Sequence, residues 1–126
     1  MKLRTMFSFC TQNQPLVAGS IDTLRKTYTI TLTNSTRRNV LSSQTEILLE
    51  KYLAQANNLI SQNSIRSIWI KSTGPVFSAG HDLKELKNST DYETLFSRGA
   101  NICMNLQKIT VPVICVVDGL VAGAGC

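Results

Sequence analysis

The chain has 126 residues, a formal net charge of +5, 43% apolar residues and 17% charged ones. A chain of this length makes one domain, or part of one, that buries roughly two thirds of its unfolded surface, and its low charge with abundant branched apolar side chains excludes wholesale disorder. The basic residues are dispersed, with neither a long basic run nor interleaved aromatics, which argues against nucleic-acid binding but suits an anionic ligand such as a phosphorylated cofactor.

Residues 1–21 carry Lys2, Arg4, several Ser and Thr and no acid before Asp22. That composition fits a mitochondrial transit peptide and equally a plain flexible tail, so a mitochondrial location is expected, with the cytoplasm as the alternative. The folded domain is expected over residues 22–126. Tyr28-Thr29-Ile30-Thr31-Leu32-Thr33 alternates apolar and β-branched polar residues and predicts a half-buried strand. A polar turn with Arg37 and Arg38 follows.

Ser43-Gln44-Thr45-Glu46 has the form of a capping box, in which hydroxyl and carboxylate satisfy free backbone donors reciprocally. Leu48, Tyr52, Ala56, Leu59 and Ile60 then return to one face at helical spacing. Ile68-Trp69-Ile70 between polar flanks predicts a strand buried on both faces, ended by Gly74-Pro75. From residue 92 to about 109, Leu95, Phe96, Ile102, Cys103, Leu106 and Ile109 fit a second helical face. Pro112 forces an extended entry into Val113-Ile114-Cys115-Val116-Val117, a further strand. Alternation of strand and helix predicts a largely parallel sheet with helical crossovers.

The stretch 111–126 is weakly polar, but Pro112 and Asp118 interrupt it and it falls short of the roughly 20 apolar residues that span a bilayer. Cys10, Cys103, Cys115 and Cys126 match neither a zinc-ribbon nor a disulfide spacing, so reduced thiols and no metal site are expected, with Cys103 and Cys115 as small buried residues.

Gly80 and Gly123-Ala124-Gly125 each follow a predicted strand, where glycine lets the backbone turn and a ligand approach its N–H groups. Two such turns can converge on one oxygen atom. Ser78, His81 and Asp82 lie too close in sequence to form a hydrolase relay and lack the G-x-S-x-G elbow. Gly123-Ala124-Gly125 lacks the third glycine and the acidic partner of a dinucleotide fingerprint.

Phe77-Ser78-Ala79-Gly80-His81-Asp82-Leu83-Lys84-Glu85-Leu86, followed at the right distance by Val111-Pro112-Val113 and by residues 119–126, resembles the enoyl-CoA hydratase/isomerase (crotonase) superfamily. The resemblance covers about residues 22–126, roughly the first half of the family domain. It implies an α/β fold of the crotonase type, a superhelix of β-β-α units, of which this is a truncated N-terminal part. It also implies an oxyanion hole for a thioester carbonyl, formed by the main-chain N–H groups of His81 and Ala124. Each such donor contributes on the order of 2.7 to 4 kcal/mol in a transition state.

The implied ligand is an acyl-coenzyme A, with coenzyme A entering as part of the substrate and no separate cofactor. The resemblance places coenzyme A against the backbone of the same loop, so His81, Asp82, Leu83 and Lys84 are the implied contacts, together with Val40 through its backbone and Arg38 near a phosphate. Family hydratases use two glutamates for acid/base work; the first would follow Cys126 and the second lies further on, so this chain alone is not expected to catalyse hydration. Full-length members form homotrimers or hexamers through helices beyond this region, and that assembly is not carried over here. The expectation is an acyl-CoA-binding protein of fatty acid metabolism. The alternative is a non-catalytic interaction or regulatory fragment that docks on a full-length homologue through an unpaired sheet edge.

Overall fold

Asp22 begins a tight turn in which its carboxylate accepts the N–H groups of Leu24 and Arg25, both at 3.0 Å. Lys26 completes the turn in the left-handed region at φ 53°. This turn joins β1 (Val17–Asp22) to β2 (Thr27–Leu32) as an antiparallel hairpin. The computed structural model describes residues 14–126. Ordered sheet therefore starts at Val17, earlier than the expected boundary at residue 22, because a short hairpin supplies β1 with a complete ladder of partners. The transit-peptide reading falls mostly on residues outside those described.

α1 (Ser43–Ser61) crosses over to β3 (Ser67–Ser72), which pairs parallel with β2. β4 (Val76–Ser78) then leads into α2 (Leu83–Asn88) and α3 (Tyr92–Gln107). β5 (Val113–Cys115) returns parallel to β3, giving the order β1-β2-β3-β5, and β6 (Leu120–Val121) pairs parallel with β4 in a second, two-stranded sheet. Short β4 and β6 carried no alternation long enough to read from sequence. The strand expected over residues 113–117 is shorter, ending at Cys115.

The core lies between the main sheet and α1 and α3, with Val17, Tyr28, Ile30, Leu53, Ala56, Ile68 and Ile102 buried in one cluster. Tyr28 satisfies its hydroxyl by donating to Gln55 Oε1 at 2.9 Å. Only one face of β3 is covered: Ile68 is fully buried, but Trp69, on the opposite face, is 39% exposed. The expectation of a strand buried on both faces is corrected here, since both long helices pack on the same side. Cys103 and Cys115 are exposed rather than buried, as is Cys126, and no disulfide joins them. No helix among the described residues is long and apolar enough to cross a membrane.

The N-cap of α1 is Ser42, whose Oγ accepts the Thr45 N–H at 3.2 Å, so the helix starts one residue before the expected box would place it. The carboxylate that completes the cap comes from elsewhere: Glu85 Oε2 accepts the Ser43 N–H at 2.8 Å and the Ser43 hydroxyl at 2.9 Å. Glu46, free of that duty, points into the interior at 2% exposure.

Candidate functional site

Residues 79–82 leave β4 and are stitched to residues 38–41 by main-chain bonds: Ala79 N–H to Arg38 O at 3.0 Å, Leu41 N–H to Gly80 O at 2.8 Å, and Asp82 N–H to Leu41 O at 3.2 Å. Ser78 Oγ donates to Asn39 O at 2.9 Å and accepts the Gly80 N–H at 3.2 Å. The hydroxyl is therefore committed to the backbone, consistent with setting aside a hydrolase relay. Buried Asn39, at φ 50°, donates through Nδ2 to Thr73 O and Val76 O at 2.9 and 2.8 Å, tying the same loop to the turn before β4.

Asp82 is 5% exposed and fully employed. One oxygen caps α2 by accepting the Lys84 N–H at 3.0 Å, and the other lies 2.7 Å from Arg37 Nη2. Its side chain holds the loop and is not free to meet a ligand, so any coenzyme A contact at this residue is through the backbone. Arg37, overlooked in the sequence, makes that ion pair, whereas Arg38 is exposed with a left-handed backbone at φ 55°. Val40 is half-buried, while Leu83, at 76% exposure, and Lys84 stand in solvent on the first turn of α2. Arg38 and Lys84 are thus available for an anionic group.

The second turn follows β6 and forms one 3-10 turn over Gly123–Gly125. Ala122 N–H donates to Ser78 O at 3.0 Å, which docks this turn onto the first. Gly80 sits at φ +83° with so little room that a Cβ there would lie 2.8 Å from Ala122 O and 3.1 Å from Ala124 N. The two glycine turns therefore meet, and the N–H groups of His81 and Ala124 make no hydrogen bond to any described residue. Gly80→Ala combines a disfavoured backbone conformation, costing about 1–2 kcal/mol, with a clash against the second turn. It is expected to lower the urea midpoint and to prise the two donors apart, which comparing hydrogen exchange at residues 81 and 124 between the two proteins checks.

Beside these donors is a cavity of about 390 Å³ with largely aliphatic and aromatic walls, whose lining includes Leu53, Ile70, Phe77, His81 and Ala124. Glu46 also lines it. Its Oε1 lies 3.8 Å from His81 Nδ1, too far for a hydrogen bond, and both atoms are buried without a partner among the described residues. Burial pushes the Glu46 carboxyl up to about 7; Arg98 pulls it down, and Glu85 and Glu50 push it further up. Phe96 meets the His81 ring edge-on at 5.2 Å. The sequence reading assigned Glu46 to a cap. The available signal was that residues 46, 49, 53, 56 and 60 share one helical stripe with Glu46 at its head, rotated from the face chosen.

The family model for enoyl-CoA hydratase/isomerase matches residues 25–126. The chain is 37% identical over 116 residues to human enoyl-CoA hydratase domain-containing protein 3, mitochondrial, covering 90% of this chain and 36% of that protein. Against the Danio rerio protein of the same name it is 39% identical over 101 residues, 77% of this chain and 34% of the relative. The crystal structure of the human protein aligns with a TM-score of 0.75 at 32% identity, over 88% of this chain and 43% of that one. An enoyl-CoA hydratase of Mycobacterium smegmatis aligns with a TM-score of 0.80 at 33% identity, over 90% and 44%. The chain thus spans between a third and a half of the length of these relatives. With its paired glycine turns set on this arrangement of sheets, the chain has the crotonase fold and belongs to the enoyl-CoA hydratase/isomerase family.

Proposed function

We propose that this chain binds the thioester of an acyl-coenzyme A, taking the carbonyl oxygen between the N–H groups of His81 and Ala124 and the acyl chain into the adjoining cavity. The observation that carries this reading is the meeting of the two glycine turns with both N–H groups unengaged. Main-chain N–H groups that no protein acceptor occupies are open to a ligand, and one carbonyl oxygen can accept from both. The apolar cavity suits a hydrocarbon chain. Exposed Arg38 and Lys84 flank the loop where the phosphates of coenzyme A would run, a role proposed for their charge alone.

The family and the word mitochondrial in the relatives' names support a place in fatty acid metabolism in that organelle. Calorimetric titration with butyryl-CoA and with free coenzyme A tests the reading. Affinity for butyryl-CoA is expected to exceed that for coenzyme A at least several-fold, since only the former fills the cavity and the donors; equal affinities would count against it.

A second reading rests on β5, which ends the sheet order with Val113 and Ile114 exposed, as are Val116 and Val117 just after it. Edge strands of this kind recruit further strands, so the chain in this reading docks on a longer homologue. Sedimentation of a mixture of the two proteins separates the readings, because a chain that remains monomeric excludes the second.

A further inference from the structure

Glu46 is placed where a structural carboxylate has no use. The residue is 2% exposed, its carboxyl caps nothing, its Oε1 is buried without a hydrogen-bond partner among the described residues, and it faces a cavity otherwise walled mainly by carbon. Buried polar groups without partners are uncommon and call for an explanation. The same cavity contains His81, whose imidazole faces the carboxyl at 3.8 Å and whose main chain supplies one of the two thioester donors. Both side chains also lie against one point of α3, where a Cβ added to Gly99 would rest 3.4 Å from Glu46 Oε1 and 3.6 Å from His81 Cε1. Carboxyl, imidazole and oxyanion donors are thus gathered around a single acyl-sized space.

We propose that Glu46 is a catalytic base of this site and exchanges the α-proton of the bound acyl thioester. This deepens the reading above and rests on it. The carboxylate takes a proton from the carbon next to the thioester carbonyl. The C–H electron pair becomes the C=C bond of an enolate, and the carbonyl π pair moves onto the oxygen held by the His81 and Ala124 N–H groups. Return of a proton from the carboxyl to that carbon restores the thioester, so the cycle is balanced with no oxidant, reductant or added nucleophile. In deuterium oxide the carboxyl exchanges with solvent and the acyl group acquires deuterium at its α-position. Such enolisation needs a base and two donors, and all three line this chain's cavity, whereas hydration needs further groups. Burial of the carboxyl places its ionisation near neutrality, where a base works best.

The experiment incubates the full chain with butyryl-CoA in deuterium oxide and follows the mass of the recovered thioester, beside calorimetric affinity for the same ligand. Deuterium uptake above the buffer rate is expected. Glu46→Gln, which keeps the shape, should lower the rate about 100-fold, the low end of what a positioned base contributes, while affinity stays within about twofold. Equal rates in the two proteins, or no uptake by a wild-type chain that binds butyryl-CoA, overturns the proposal and leaves thioester binding standing. Failure to bind butyryl-CoA overturns both.

The pH dependence of the unmodified protein gives an independent measurement. The groups that act on the carboxyl are Arg98 of α3, Glu85 of α2 and Glu50 of α1, with His81 facing it from the loop. Uptake should rise with pH to a plateau above about 7, and a profile flat between pH 5.5 and 8.5 would sink the idea whether or not Glu46→Gln folds.

Discussion

Replacing His81 by proline is expected to reduce butyryl-CoA affinity about tenfold, whereas His81→Ala leaves it within a few-fold of the original. Proline removes the N–H and alanine retains it, so the contrast isolates the main chain from the imidazole. The tenfold figure follows from one neutral hydrogen bond of about 1–1.5 kcal/mol lost to the ground-state carbonyl. In the enolate the oxygen carries a full charge and the same donor is worth more, so α-deuterium uptake should fall by about 10² to 10³ in the proline variant. Near-UV circular dichroism on both variants is the control for whether the loop, fixed by Ser78, Asn39 and the Asp82–Arg37 pair, keeps its place. Equal losses in the two variants would contradict donation from the backbone.

The second large effect is on stability and comes from Glu46. Its carboxyl is raised by burial from 4.5 to about 7 in the folded protein. A group whose folded pKa lies above its unfolded value binds its proton more tightly when folded. Its stabilising contribution is therefore complete below pH 4.5, declines as pH rises toward about 7 and is lost above it. At 1.36 kcal/mol per unit the full swing is on the order of 3 kcal/mol. Glu46→Gln removes the titrating group, so urea midpoints of the two proteins should diverge in the variant's favour between pH 5 and pH 8. Parallel curves across that range would show that the carboxyl does not gain a proton on folding. The linkage also exposes a conflict between stability and the proposed chemistry, since the ionised base is the form the fold tolerates least.

The legible parts of the site were those written in backbone conformation. Gly80 at φ +83° and Gly123 at φ +55° occupy turns that few other residues adopt, and each follows a strand, so two outward-pointing N–H groups were predictable from residue type and position alone. What the side chains around these turns do was not legible in the same way. The carboxylate of Asp82 is spent on Arg37 and on the first turn of α2, a structural role that no local pattern announces. That Arg37 is the arginine paired with Asp82, while Arg38 stays exposed, is decided only by the register of the loop against residues 38–41. The capping box failed for a related reason: Ser42 and Ser43 are both good caps, and the choice fell to the one that left Ser43 free to bond Glu85.

The sequence by itself determined the family, the alternation of strands and helices, and the two glycine turns, because these follow from local pattern and from the steric limits of single residues. The tertiary structure decided that the two turns meet, that Arg37 reaches across 45 residues to Asp82, and that Glu46 leaves its helix cap to face His81 inside an apolar cavity. These pairings depend on how far each element slides and rotates against its neighbours. That is set by packing of the whole core around Ile30, Leu53 and Ile68, and no short window of residues contains it.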